Sequence, residues 1–353
     1  MMALVLFKRV CPLYPLLAFM YNTPMKENKF KPQEIMFSPT TRCNLRCVHC
    51  GTEQTGKPLP KKTALSFLDA CNKFGIKRVG FTGGEPFYAL DFLCLISKEG
   101  VRRGMFFDHI ITNAVWFKTK KELYSVLNQL FLCGYDGRFF VSVDAFHNQD
   151  LRKVASFIKV ASQIWTLPNI VSISSVKGTR ERETRTKLKK LADLLEARFT
   201  GLTSQKASIR NKDLLINIFS FNLSPVGKAV RLKNPWDGKW FEDDFCKGPG
   251  HIFFVLSDQT VKPCCGYAHE ADILTIGSIK RDSPQQLLLN AKQNRFVSTV
   301  FESGLHAIRK QLESSGIRFP GKTTNHCFFC YYLTHHIPRP LLNSCLEKVH
   351  KKS

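Results

Sequence analysis

From residue 33 to about residue 232, extended apolar runs alternate with amphipathic helical stretches, and few folds accommodate that order. The pattern predicts strands over 34–38, 78–82, 105–112, 138–144, 170–176 and 214–220, with helices near 61–73, 89–101, 119–132, 150–165 and 183–198. Apolar residues recur at helical spacing in Ala64, Phe67, Leu68 and Cys71, in Leu123, Val126, Leu127 and Leu130, and in Leu188, Leu191, Leu194 and Leu195. Strand–helix alternation of this kind implies an α/β fold with a parallel sheet and right-handed crossovers. Ligands of such sheets gather at the C-terminal strand ends, so residues just after each strand carry the functional information.

The first such loop holds Cys43, Cys47 and Cys50, in the order Thr-Arg-Cys-Asn-Leu-Arg-Cys-Val-His-Cys. Three thiolates on one tight loop suit three corners of an iron–sulfur cube, since soft sulfur ligands favour such clusters. The fourth iron would have no protein ligand nearby and would be open to a small molecule. A zinc knot with His49 as fourth ligand is the competing reading.

Gly83-Gly84-Glu85-Pro86 follows the second predicted strand. With the triad upstream, this resembles the radical S-adenosylmethionine (SAM) superfamily. The resemblance implies a partial (β/α)6 TIM-like barrel, a [4Fe-4S] cluster held by Cys43, Cys47 and Cys50, and SAM chelated by the open iron. One electron then breaks the sulfonium C–S bond, and the 5′-deoxyadenosyl radical abstracts hydrogen from substrate. An external electron donor such as flavodoxin or ferredoxin is implied too. Gly83, Gly84, Glu85 and Pro86 become expected cofactor-binding residues; glycine lets a backbone pass close to a ligand.

Other predicted strand ends carry polar residues. Thr112 and Asn113 close the third, Ser142 and Asp144 the fourth with His147 just beyond, and Ser172, Ser174 and Ser175 lie along the fifth. By resemblance, Thr112, Asn113 and Ser142 are expected at the cofactor. Asp144 and His147 are the candidate catalytic base, with a SAM ribose contact as the other role for Asp144. Turn formation and helix capping account for the same residue types. Asn222 to Ala229 resembles the Pro-x-Gly-Arg-Ala segment of several radical SAM maturases, with Lys228 in place of arginine.

Near residue 233 the pattern changes, and Pro235, Trp236, Asp237 and Gly238 mark a linker. The expected division is an N-terminal extension 1–32, a radical SAM core 33–232 and a small cysteine-rich domain 233–353. A strand over Ile252 to Leu256, a turn and a return strand are expected to bring Cys246 and Cys264 close. Cys327 and Cys330 form a C-x2-C pair. This resembles the SPASM/twitch extension. The shorter twitch pattern implies an auxiliary [4Fe-4S] cluster on Cys246, Cys264, Cys327 and Cys330, with Cys265 and Cys345 spare or substitute ligands. A four-cysteine zinc site has compatible spacing. Gln259 stands where the pattern's turn glycine is expected. Cys71, Cys94 and Cys133 sit beside apolar residues as small hydrophobes.

Thirteen cysteines in 353 residues are too few and too clustered for a secreted disulfide scaffold. The expectation is a reducing, cytoplasmic compartment. No apolar run reaches the length of a membrane span. Residues 10–19 follow Lys8 and Arg9 and faintly suggest a signal peptide, but two prolines break the run. Residues 1–32 read as a loosely attached extension or an upstream start, with Met20 or Met25 as true start.

The net charge of +24, from 52 basic and 28 acidic residues, permits an acidic partner. Nucleic acid is permitted but not favoured, since no aromatic-and-basic signature accompanies the charge. The densest basic run, 177–190, reads as the solvated face of a helix. The leading functional expectation is an oxidative or cross-linking modification of a peptide or protein side chain. A radical SAM dehydrogenase of a small polar metabolite comes second, and a non-enzymatic zinc protein that binds nucleic acid third.

Overall fold

A computed structural model describes residues 31–201, 207–241, 250–264 and 271–351. Cys11, Cys246 and Cys265, and the extension 1–30, lie outside the described residues. Five β/α units come first: β1 Glu34–Phe37, α1 Lys61–Phe74, β2 Arg78–Phe81, α2 Leu90–Arg102, β3 Phe106–Thr112, α3 Lys120–Leu132, β4 Arg138–Ser142, α4 Leu151–Trp165, β5 Val171–Lys177 and α5 Glu181–Leu194. A short hairpin, β6 Arg198–Thr200 and β7 Ser208–Arg210, then precedes the sixth parallel strand, β8 Leu215–Asn222. Every strand and helix expected here is present within three or four residues of its predicted bounds; the hairpin was not foreseen.

β1, β2, β3, β4, β5 and β8 run parallel in that order, so their C-terminal ends share one rim. The sheet is not closed: among the described residues β1 pairs on its other side with β9 Ile252–Val255, and β8 with β7. The fold is thus α/β, a partial TIM-like barrel. Strand alternation sets its two faces. Ile35, Phe37, Val79, Phe81 and Phe139 are fully buried against the helices. Glu34, Met36 and Gly80 share the opposite, inner face, where a Cβ on Gly80 would lie 2.8 Å from Glu34 Oε1.

The caps follow from sequence. Thr119 accepts from Glu122 N to open α3, Asp150 accepts from Arg152 N to open α4, and Gly75 (φ 97°) closes α1.

The C-terminal segment joins the same sheet. β9 returns through β10 Thr260–Lys262, as expected, to β11 Gly277–Ser278. Gln259 makes the β9–β10 turn at φ 75°, in the left-handed region that favours glycine. Five helices follow: α6 Pro284–Gln293, α7 Arg295–Glu302, α8 Gly304–Ser314, α9 His326–His336 and α10 Arg339–His350. Trp236 of the expected linker packs on Phe328 and Tyr332 of α9. No helix among the described residues is long and apolar enough to cross a membrane.

At the N-terminal end of the barrel, opposite the rim, Arg78 lies 3.2 Å from Asp108 and 3.9 Å from Glu34, and Asp108 Oδ2 is 2.6 Å from His109 Nδ1. The guanidinium compensates the two carboxylates, and this network closes that end.

Candidate functional site

The triad loop leaves β1 and is clasped from both sides. On one side lies the glycine loop after β2: Gly84 N donates to Thr40 O (2.9 Å) and Glu85 N to Arg42 O (2.7 Å). A Cβ on Gly84 would sit 2.3 Å from Arg42 O, so only glycine allows this approach. Gly83 (φ 126°) turns the chain there. On the other side Gln54 Nε2 donates to Leu45 O at 2.7 Å.

Glu85 is fully buried. Its carboxylate accepts from Phe87 N, from Thr112 Oγ1 at 2.8 Å and from Asn113 N at 2.8 Å. Burial pushes its pKa up to about 7, against the pull of those donors. Glu85 therefore ties the ends of β2 and β3 together, and Pro86 starts the turn Pro86–Ala89 below it. Asn113 reaches the triad directly: its Nδ2 lies 3.6 Å from Cys43 Sγ and 2.8 Å from Asn44 Oδ1.

Cys43, Cys47 and Cys50 are half-buried and not in disulfides. Burial, then the neighbouring Cys50 and Cys43, pushes the Cys47 thiol up to about 12. Three half-buried thiols on one loop form a donor set that fits a cationic metal centre.

Ser142 ends β4, and its carbonyl accepts from Gln149 Nε2 (2.7 Å), which also donates to Asn113 O (2.6 Å). Asp144 has no exposed surface. Its Oδ1 accepts from Phe146 N, His147 N and His147 Nδ1 (2.8 Å), and its Oδ2 from Val176 N (3.1 Å). Burial alone would raise its pKa, but His147 and these donors hold it below the usual carboxylate range. It fixes the turn and orients the His147 ring.

His49 does not turn toward the thiols as a fourth ligand would. Its ring packs against Phe146 (5.3 Å) and His147 (4.7 Å), and burial, then His147, lowers its pKa to about 4. His49 Nδ1 and Gln149 Oε1 are buried with no hydrogen-bond partner. Two orphaned polar atoms beside the triad suit a polar ligand such as SAM.

Sequence reasoning missed Gln149, Asn44 and Lys187. Lys187 Nζ bonds Asp144 O (3.1 Å) and His147 O (2.5 Å). It lies in the basic run read as a solvated face. Arg182, Arg185, Lys189 and Lys190 are exposed as expected, but Lys187 turns inward, next to the buried Thr184 and Leu188.

Of the expected C-terminal ligands, Cys264 follows β10, and Cys327 and Cys330 share the start of α9. Phe241 packs on His326 (4.5 Å), beside Cys327, and Gly250 N bonds Pro263 O, beside Cys264. Phe241 and Gly250, the described residues that flank Cys246 in the chain, thus lie beside the neighbours of Cys327 and of Cys264. Cys345, the expected spare ligand, is instead buried in α10 with its thiol 3.5 Å from Ile308 O. Burial pushes it up to about 11, as for a packed small hydrophobe.

Comparison with known proteins agrees with this geometry. The GTP 3′,8-cyclase of Listeria monocytogenes serovar 1/2a is 30% identical over 210 residues, 55% of each chain. The GTP 3′,8-cyclase of Desulforamulus reducens is 26% identical over 217 residues, 57% of each. The chain spans little more than half the length of these relatives. Among solved structures, anSMEcpe with bound AdoMet and Cp18Cys peptide superposes with a TM-score of 0.49 at 13% identity, covering 90% of this chain and 99% of that one. SuiB of Streptococcus suis does so with a TM-score of 0.46 at 15% identity, covering 86% and 72%. The sequence profile described as "Radical SAM superfamily" matches residues 37–165, from β1 through α4, and so contains the triad, the glycine loop, Asn113, Asp144 and His147. The thiol loop and the glycine clasp on the rim of the partial parallel barrel thus lie in a stretch, 37–165, that matches the radical SAM superfamily, whose members use a [4Fe-4S] cluster and SAM.

Proposed function

We propose that this chain binds SAM at the triad loop and oxidises or cross-links a side chain of a peptide or protein substrate. When bound, the [4Fe-4S] cluster supplies the electron that cleaves SAM to the 5′-deoxyadenosyl radical. Cys43, Cys47 and Cys50 hold the cluster. Gly83, Gly84, Glu85 and Pro86 keep the neighbouring loop close, and Thr112, Asn113 and Ser142 line the cofactor side with Gln149. The observation that carries the oxidative reading is the Asp144–His147 pair. Oxidation by hydrogen abstraction releases a substrate proton, and an imidazole oriented by a buried carboxylate is suited to accept it. Phe219 and Phe221 of β8 favour a large side chain as substrate: they are 42% and 48% exposed, and the Phe219 ring lies 5.5 Å from the tilted Phe140 ring of β4.

Residues 233–353 are proposed as an auxiliary-cluster domain, with Cys246, Cys264, Cys327 and Cys330 as ligands. The placement of Phe241 and Gly250 beside the neighbours of Cys327 and of Cys264 supports that grouping. A second reading, action on a small polar molecule, draws on the relatives named GTP 3′,8-cyclase.

The test is anaerobic reconstitution followed by assay of 5′-deoxyadenosine under dithionite. Wild type is expected to form it and to hold about eight irons in two cubes. Joint Cys43→Ala, Cys47→Ala and Cys50→Ala substitution is expected to abolish cleavage and keep about half the iron. Persistent cleavage in that variant removes the site assignment. A wild type with about four irons plus zinc removes the auxiliary cluster. Turnover of nucleotides but of no peptide in the same assay selects the second reading.

A further inference from the structure

We propose that the outward face of the triad loop is the docking surface for an acidic one-electron carrier protein. The inference rests on the SAM-cleaving reading and adds where the reductant binds. Along the loop exposure alternates: Arg42, Asn44, Arg46 and Val48 face solvent, while Cys43, Leu45, Cys47 and His49 turn inward. The thiols therefore lie one residue behind the surface. A protein carrier must bring its redox group close to the thiols, and this loop carries them.

That face is basic. Residues 41–62 contain Arg42, Arg46, Lys57, Lys61 and Lys62 against a single acid, Glu53. Lys57 is held beside the loop, because Thr41 N bonds Lys57 O and Thr41 Oγ1 bonds Thr55 Oγ1. The 3₁₀ turn Gly227–Arg231 extends the patch with exposed Lys228 and Arg231, since a Cβ on Gly227 would lie 3.7 Å from Gly51 Cα. Lys61 pairs with Asp91, and Arg42 lies over the Tyr88 ring. Arg46, Lys57, Lys62, Lys228 and Arg231 make no ion pair among the described residues.

Unpaired surface cations add little to folding, but a single-sign patch steers an oppositely charged partner and raises its association rate. Transient redox contacts are small, and a patch of this extent suits one. An anionic substrate is the competing occupant. It fits less well, because His147, Gln149 and Phe219 lie on the inner side of the loop and barrel, while these cations point outward.

The experiment uses a bacterial flavodoxin with its NADPH-dependent reductase. The variant Lys57→Glu/Lys62→Glu is compared with a control of equal charge change on the C-terminal helices, Lys310→Glu/Lys348→Glu. Isothermal titration of oxidised flavodoxin into each chain, without SAM, is expected to show Kd about tenfold weaker for the Lys57→Glu/Lys62→Glu variant only, with wild-type binding weakened by salt. The KM for flavodoxin in 5′-deoxyadenosine formation is expected to rise in step, with the dithionite-driven rate unchanged. Unchanged flavodoxin affinity overturns the proposal, as does an equal loss in the control. A rise in substrate KM under dithionite, with flavodoxin binding intact, reassigns the patch to an anionic substrate. Loss of dithionite-driven cleavage in wild type defeats the underlying functional reading instead.

Discussion

His147 Nδ1 lies 2.8 Å from Asp144 Oδ1, and this contact divides the work between two residues that the sequence offers as equals. The carboxylate accepts from three backbone N–H groups and from the His147 ring, so it orients the imidazole; in the proposed function His147 is the base and Asp144 its positioning residue. His147→Gln is expected to keep 5′-deoxyadenosine formation while product falls by about 10²-fold or more, the usual scale for a lost general base. Asp144→Asn turns an amide N–H toward a backbone donor and is expected to cost about 2 kcal/mol as well. It should also shift the pH profile of product formation, which a merely structural change leaves in place. If product is unaffected in both variants, neither residue handles the proton.

Gly84→Ala tests the clasp. The added methyl would enter the space of Arg42 O and Thr41 O, both backbone atoms. The two loops must separate, at about 1–3 kcal/mol. Iron retention at the triad and SAM cleavage are expected to fall together, while far-UV circular dichroism stays native. Normal iron content with normal cleavage would show that the clasp tolerates the methyl.

Glu85→Ala leaves three buried donors, Phe87 N, Thr112 Oγ1 and Asn113 N, without their acceptor. A loss of about 3 kcal/mol or more is expected in denaturant unfolding. Glu85→Gln keeps one acceptor oxygen and is expected to recover part of it. Equal stability of wild type and the alanine variant would mean that the donors find other partners.

His109 gives a pH prediction. Burial lowers its pKa, but the hydrogen bond and charge of Asp108 outweigh this and leave it raised above 6.5. Asp108, for its part, is lowered. The imidazolium's contribution is thus complete below the ordinary histidine value and disappears as pH rises through the raised one. The carboxylate's contribution is present above the ordinary aspartate value and lost on acidification. The Tm difference between wild type and His109→Gln is expected to be largest below the ordinary histidine value and to shrink as pH rises through the raised one. A constant difference across that range would show that His109 does not titrate in the fold.

Periodicity carried the alternation of strands and helices, and the resemblance implied the barrel. Leu123, Leu127 and Leu130 mark a helix because only one face of it is buried, whereas β1 is buried along its whole length and reads as a short apolar run. Cys43, Cys47, Cys50 and Gly84 were legible because ligand type, close spacing and the absence of a side chain are local properties. The rest required long-range contacts that no local pattern encodes. Lys187 looks like its solvated neighbours until α5 packs against the end of β4. Gln149 joins Asn113 and Ser142 only because β3 and β4 are adjacent. Cys345 matches a spare ligand in spacing and is a packing residue in place. Asp144 and His147 are three residues apart in the chain, but that the carboxylate is occupied by four donors was decided by the folded backbone, which brings Val176 N onto its second oxygen.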